Sequence, residues 1–382
     1  MLQKIKKAGR LFCFYIYNRI VACFVPICNN KMLFCTETGN QITGNLKCMH
    51  DYFNDNKYEK NIYAYKDRRD KRNFSDTLKL WKDLTTSKYI FLDDFYTITS
   101  TMKVRKGQEL IQLWHGAGAY KKFGFSRIGT GDNIKTINSG YRKYTKVITS
   151  SEEIRPLYAE AFDIDINRVK ATGCPRTDVF FNNKWKKEVK EKIYNQYPQL
   201  KNKKVVLFAP TYRGRKVEDA DYDFEYANLD KLQNELGTEY VILTRWHPAL
   251  QRNIEKGIKS ISCCNHVLDM STYKDVNELL LITDVLITDY SSMIFDYYFL
   301  NKPIIYFVYD LEQYEAGRGL YYNFDKYVYG DVVLDRRLLA QSIKAENQWE
   351  EKRKAFGDRF LSACDGQSTK KTAEYILEKT KY

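Results

Sequence analysis

The chain has no Cys-x-x-Cys pair, no G-x-G-x-x-G or G-x-x-x-x-G-K-[ST] loop, and no uninterrupted apolar run long enough to cross a bilayer. Each absence removes a class of protein. Its nine cysteines are odd in number and scattered, which fits neither a disulfide framework nor a zinc site and points to reduced thiols in a cytosolic compartment. Without the glycine-rich fingerprints, neither dinucleotide redox chemistry nor P-loop hydrolysis is supported. There is no low-complexity tract and no short repeat. The acidic pairs and runs, Asp93 with Asp94 and the stretch from Glu218 to Asp223, read as ordinary loop acids, and no spacing demands a metal. Histidines are few, only His50, His115, His247 and His266, so imidazole chemistry is confined to a handful of positions.

What is present is a globular chain of 382 residues, 44% hydrophobic, with 31 Tyr and 21 Phe, long enough for two domains. The net charge of +14 favours nucleic acid, anionic lipid or a phosphate-rich substrate without choosing among them. At the N-terminus, Lys4, Lys6, Lys7 and Arg10 precede the run Leu11 to Cys28, which Asn18, Arg19 and Pro26 interrupt. The apolar pieces are too short for roughly 30 Å of hydrocarbon. The segment reads as an interfacial helix whose basic residues meet anionic head groups, with a core helix and a signal peptide as rivals; no clear cleavage site supports the latter.

Short apolar runs alternate with helix-compatible segments along the rest of the chain. Residues 31–37, 61–67, 88–94, 109–115 and 146–152 read as strands of one series, and 203–213, 240–248, 265–271, 285–290 and 302–310 as strands of a second. This alternation predicts an α/β fold with parallel sheets, and a right-handed crossover around Ser291 to Asn301. The expected division is a membrane-associating segment over 1–30, a first Rossmann-like domain over 31–185 and a second over 186–382.

Parallel sheets hold ligands at the carboxyl ends of their strands. His115 in LWHGAG and His247 in TRWHP both stand at such ends, one in each half. There a histidine can serve as a general base or, protonated, stabilise phosphate charge. A single case would more often be structural; the matched pair reverses that weighting. His50 and His266 read as structural or surface residues. Ser291 and Ser292 stand where a strand becomes a helix, a place suited to a pyrophosphate or to simple capping. Arg213, Arg245 and Arg318 follow strands or loops on the same edge, and forked guanidinium groups suit phosphate oxygens. Lys121 and Lys122 are candidates to neutralise an acceptor phosphate.

Taken in order, QLWHGAGAYKKFGF, ITSSEEIRPLYAEAF, TGCPRTDVFF, FAPTYRGR, RWHP, ITDYSSMIFDY and RGLYYNFD resemble the successive motifs of CDP-glycerol glycerophosphotransferases, over roughly residues 30 to 330. The resemblance implies the GT-B architecture, two Rossmann-like domains facing across a cleft, with the nucleotide-alditol held mainly by the second. It implies that His115 and His247 are the essential histidines. Gly116, Arg245, Ser291, Ser292 and Arg318 would lie at the substrate, and Arg213 less securely.

The reaction implied is transfer of glycerol phosphate from CDP-glycerol to a hydroxyl of a polyprenyl-diphosphate-linked acceptor, with release of CMP and no cofactor, at the cytoplasmic face of a membrane. Where some members have Thr-Pro after the His-Gly, this chain reads HGAGAYKKFG, which leans toward the later-acting glycerol or ribitol enzymes. CDP-ribitol as donor and a nucleotide-sugar glycosyltransferase are the alternatives. A non-catalytic membrane or nucleic-acid binder is a further one, although no RNA-binding motif is visible. Whether the chain forms a homo-oligomer is left open.

Overall fold

The computed structural model describes residues 2–54, 57–64, 73–127, 139–214, 220–255, 267–317, 319–347 and 349–378. They form two compact units, residues 1–178 with 359–382, and residues 179–358. Each unit is built on a six-stranded parallel sheet.

In the first, β1 (Cys28–Thr36), β2 (Glu59–Ala64), β3 (Ser87–Leu92), β4 (Glu109–Gln112), β5 (Lys146–Thr149) and β6 (Val169–Ala171) lie in the order β2-β1-β3-β4-β5-β6. In the second, β7 (Lys204–Phe208), β8 (Tyr240–Thr244), β9 (Val267–Asp269), β10 (Val285–Thr288), β11 (Ile304–Phe307) and β12 (Asp331–Val333) lie in the order β12-β11-β10-β7-β8-β9. The central strands are largely apolar because helices cover both faces of a parallel sheet. β4, β5, β8, β10 and β11 are buried along their whole length. In the first core, Met32, Phe34, Phe91, Ile111 and Ile148 pack together, with Phe34 and Phe91 stacked at 4.7 Å. In the second, Val206, Phe208, Ile242, Ile287 and Phe307 do the same. Each such side chain contributes about 1.5–3 kcal/mol on burial.

The N-terminal segment forms α1 (Leu2–Phe24). Phe14 and Asn18, one turn apart, face the protein and are fully buried. Asn18, expected only to interrupt an apolar run, is a fastening point: its amide donates to Thr85 Oγ1 (3.2 Å) and its Oδ1 accepts from the Lys103 N–H (2.8 Å). Phe12, Tyr15, Ile16, Ile20 and Phe24 are exposed on the other side. One face is therefore a core face, and the other presents apolar side chains to solvent. Among the described residues, no helix is long and apolar enough to cross a membrane.

The chain's last helix, Ser368–Leu377, falls in the second domain of the division expected from sequence, but belongs to the first unit. Ala373, Tyr375 and Ile376 join the first core. The buried Lys146 ammonium donates to the carbonyls of Tyr375, Ile376 and Glu378 at 2.7–2.9 Å, a cation on the negative end of the helix. The boundary between the units also falls at 178/179 rather than 185/186. The charged segment after it forms the helix Asn183–Gln196, capped by Asn182 accepting from the Trp185 N–H.

Candidate active site

Beyond the carboxyl end of β4, the chain turns sharply through Leu113, Trp114 and His115. Trp114 adopts φ 56°, a left-handed conformation that a bulky residue holds only when its surroundings impose it. Two buried amides impose it here. Asn45 Nδ2 donates to the Leu113 and Trp114 carbonyls (3.1 and 2.9 Å), and Gln112 Oε1 accepts from the Trp114 N–H (2.9 Å). Asn45 Oδ1 in turn accepts from the Arg176 N–H (2.9 Å). The Trp114 ring packs against Phe123 and Phe162, at 4.6 and 5.5 Å between centroids. The consequence is a fixed direction for His115.

His115 is exposed, yet protein groups surround its ring. Burial lowers its pKa from the ordinary 6.5; Asp94 opposes the shift, Arg176 reinforces it, and a main-chain hydrogen bond of Asp93 opposes it. The imidazole is therefore neutral at pH 7 and can accept a proton. Asp93 itself is buried, and its Oδ1 finds no hydrogen-bond partner. Burial pushes this carboxyl up to about 7, against a hydrogen bond with Thr36 and with the Asp94 charge adding to the rise. Asp93 is therefore not the ordinary loop acid expected. Beside His115, Gly116 opens onto space, since a Cβ there would meet nothing within 4 Å. At Gly124, by contrast, φ is +52° and a Cβ would fall 2.0 Å from the Ala161 carbonyl oxygen, so packing alone requires glycine.

In the second unit, β8 leads directly into Arg245, Trp246 and His247, and the helix Pro248–Glu255 follows. His247 is exposed and sits at the start of that helix, where its Nδ1 accepts from the Ala249 N–H (3.1 Å). With Nδ1 acting as acceptor, the neutral ring carries its proton on Nε2, and Nε2–H is a donor. Tyr212 lies alongside, ring centroids 4.7 Å apart. The two histidines thus differ in kind, one poised to accept and the other to donate.

Arg245 is half-buried and its Nη1 donates to the carbonyls of Met270 (3.2 Å) and Tyr273 (2.7 Å). Burial lowers its pKa against Asp275 and Asp269, although a guanidinium stays charged regardless. Arg213 behaves differently from the phosphate ligand expected. It forks onto Asp310 (Nε–Oδ2 2.5 Å, Nη2–Oδ1 2.8 Å) while Nη1 meets Asp289 Oδ2 (2.7 Å). Tyr222, Tyr290, Tyr309 and Tyr314 surround its guanidinium at 5.2–5.7 Å. Burial works to lower its pKa, but the two carboxylates outweigh that and hold it raised. This clamp ties the loop after β7 to the ends of β10 and β11, because Asp289 also accepts from Thr211 N–H and Oγ1–H (2.8 and 3.0 Å). Arg213 thereby supports the loop that carries Tyr212.

Ser291 and Ser292 follow β10 as expected, but the helix after them, Met293–Tyr297, is short and continues as a 3-10 turn. Ser291 Oγ accepts from the Met293 N–H (3.3 Å), and Ser292 is exposed without a capping bond. The dipole of so short a helix is weaker than the sequence suggested. Arg318 and His266, together with Glu218 and Asp219, lie outside the described residues. His50 bonds Asp51 Oδ1 (3.1 Å) and packs edge-on against Phe34 (5.2 Å), a local structural setting. Among the described residues, no cluster of His, Cys, Asp or Glu could hold a metal. Asn45, Gln112 and Arg176 were not singled out in the sequence, and Asp93 was read as a loop acid; the one signal, for Gln112 and Asp93, was position at the end of a strand.

Residues 17–378 match the family model described as CDP-glycerol:poly(glycerophosphate) glycerophosphotransferase. The chain belongs to that family. It is 39% identical over 355 residues to the teichoic acid poly(ribitol-phosphate) polymerase of Bacillus spizizenii, covering 92% of this chain and 57% of that protein. It is 34% identical over 294 residues to the teichoic acid glycerol-phosphate primase of Bacillus subtilis, covering 76% and 73%. Its fold is similar to a solved structure of the wall teichoic acid polymerase TagF, with TM-score 0.77, 25% identity and 98% of each chain covered. The chain thus spans little more than half the length of the Bacillus spizizenii relative.

Proposed function

We propose that this chain transfers an alditol phosphate from a CDP-alditol to a terminal hydroxyl of a polyprenyl-diphosphate-linked acceptor in teichoic-acid synthesis. The acceptor oxygen attacks the phosphorus that bears the alditol, the phosphoanhydride bond to CMP breaks, and CMP leaves. His115 takes the hydroxyl proton. The observation that carries the reading is the contrast between the two strand-end histidines, one neutral and open to a proton, the other with Nδ1 engaged, which leaves Nε2–H as its donor. A donor at His247, helped by Arg245, suits charge growing on the phosphoryl group and on departing CMP, which is the main demand of phosphoryl transfer. Ser291, Ser292 and Arg318 are assigned to the pyrophosphate or alditol, and Gly116 leaves room for the acceptor. Arg213 acts through Tyr212 rather than on substrate. The exposed apolar face of α1 rests in the membrane interface at its cytoplasmic side.

Glycerol is the donor alditol suggested by the family description. A second reading, ribitol, is favoured by the 39% identity to a ribitol-phosphate polymerase. Incubating the protein with CDP-glycerol or CDP-ribitol and a lipid-linked acceptor, and following CMP, decides between them. No CMP from either donor would sink the assignment.

A further inference from the structure

At the opposite end of the first sheet from His115 lies a recess of about 1000 Å³, framed by the starts of β3 and β4, the approach to β5, and α1. Seven cations line it: Arg19, Lys88, Lys103, Arg105, Lys106, Lys143 and Arg168. None of the first six forms an ion pair among the described residues. Arg19 donates to the carbonyls of Tyr15 and Thr101, Arg105 to those of Thr85 and Ala22, and Lys143 to those of Ser100 and Met102. The two acids on the lining are engaged elsewhere, Glu109 with Thr145 and Lys146 and Glu378 with Lys170. With seven cations against two acids that are already paired, the recess is strongly positive. Burial, with the like charge of Arg19, lowers the Lys143 pKa to about 8, so the crowding is felt by the side chains themselves.

Arg19 also connects this recess to the helix whose outer face exposes Phe12, Ile16, Ile20 and Phe24. A soluble anion needs the lysines but has no use for the phenylalanines. An anionic lipid needs both, since its head group is charged and its chains are apolar. We propose that this recess is a binding site for the phosphate head group of an anionic lipid, seated while the outer face of α1 lies in the bilayer interface. The proposal rests on the membrane association of α1 proposed above. It adds a defined head-group site on the protein and a preference for negatively charged bilayers.

The test is co-sedimentation of the full chain with vesicles of phosphatidylcholine alone and of an equal mixture with phosphatidylglycerol. Lys103 and Lys106 are exposed, so K103Q/K106Q leaves the core untouched. Each basic residue near an anionic surface strengthens binding severalfold, so the double variant should bind mixed vesicles ~30-fold more weakly while its binding to neutral vesicles stays unchanged. F12S/I20S should weaken binding to both. Equal loss on both vesicle types for K103Q/K106Q overturns the site, as does displacement of the protein from mixed vesicles by inorganic phosphate at low concentration. Tight oligonucleotide binding through the same lysines, without preference for anionic vesicles, also overturns it. CMP release from a CDP-alditol with a short soluble acceptor is measured in parallel: its failure alone counts against the proposed reaction and leaves the lipid site standing.

Discussion

Asn45 is the residue whose removal most directly tests how His115 is held. Its amide supplies two donors to the Leu113 and Trp114 carbonyls and one acceptor to the Arg176 N–H. Alanine at this buried position removes these bonds, together with a weak one from Cys174 Sγ to the same oxygen (3.3 Å), and leaves three main-chain groups with no replacement. At about 1 kcal/mol net per bond, and about 1–3 for each buried group left unpaired, Asn45→Ala should cost roughly 4 kcal/mol. For a unit of this size that corresponds to a fall of about 1.5 M in the urea midpoint. Trp114 would relax from φ 56°, and His115 would lose its aim. CMP release should then fall by about tenfold or more even in buffer where the protein remains folded, because a small misplacement of a reacting group is costly. Asn45→Asp keeps the acceptor but sets an oxygen against two carbonyls, and should be no milder. Should Asn45→Ala shift the midpoint by less than about 0.3 M and leave turnover within about twofold, the turn is held by something other than this amide.

Other substitutions probe separate parts. His115→Ala should lower CMP release by about 10²–10⁴-fold with an unchanged unfolding midpoint; retained turnover would remove it as the base. Arg213→Met leaves the buried Asp289 and the partly buried Asp310 without their cation and should destabilise the second unit by about 3–5 kcal/mol, read by urea unfolding; a cost under about 1 kcal/mol would show that the clamp is dispensable. Gly124→Ala combines a φ of +52° with a 2.0 Å clash and should lower the melting temperature, which a scan measures directly; no change would mean the loop relaxes freely. Asp93, raised to about 7 from an ordinary 3.8, holds its proton in the folded state after the unfolded chain has lost it. Its stabilising effect is thus complete below about pH 4 and disappears as pH rises through about 7. Asp93→Asn should flatten stability against pH across that window, and a profile identical to the parent would contradict the assignment.

Most strands were legible because burial on both faces leaves a continuous apolar run, as in VVLF before Ala209 or VLIT before Asp289. β6 and β12 were not. Each is a three-residue edge strand, VKA and DVV, with too little apolar pattern to read. His115 and His247 stood out because their position follows from strand order. The residues that give them their character did not stand out. Asn45 is remote in sequence from Trp114, tryptophan gives no sign of a left-handed backbone, and Asp93 next to Asp94 looks solvated until burial is known. Arg213 misled for a related reason: its partners lie 76 and 97 positions away, and a forked guanidinium looks the same whether it meets carboxylates or phosphate. The return of the last helix to the first unit left no local mark, since Lys146 reads as an ordinary strand-edge lysine.

That return sets an order of events during synthesis. The second unit is one continuous stretch and can close as soon as residue 358 has left the ribosome, whereas the first must wait for residues 368–377 before the Lys146 ammonium meets its carbonyls. Limited proteolysis of stalled nascent chains should find the second unit protected earlier than the first. The half that carries His115 is then completed last, although most of it is made first.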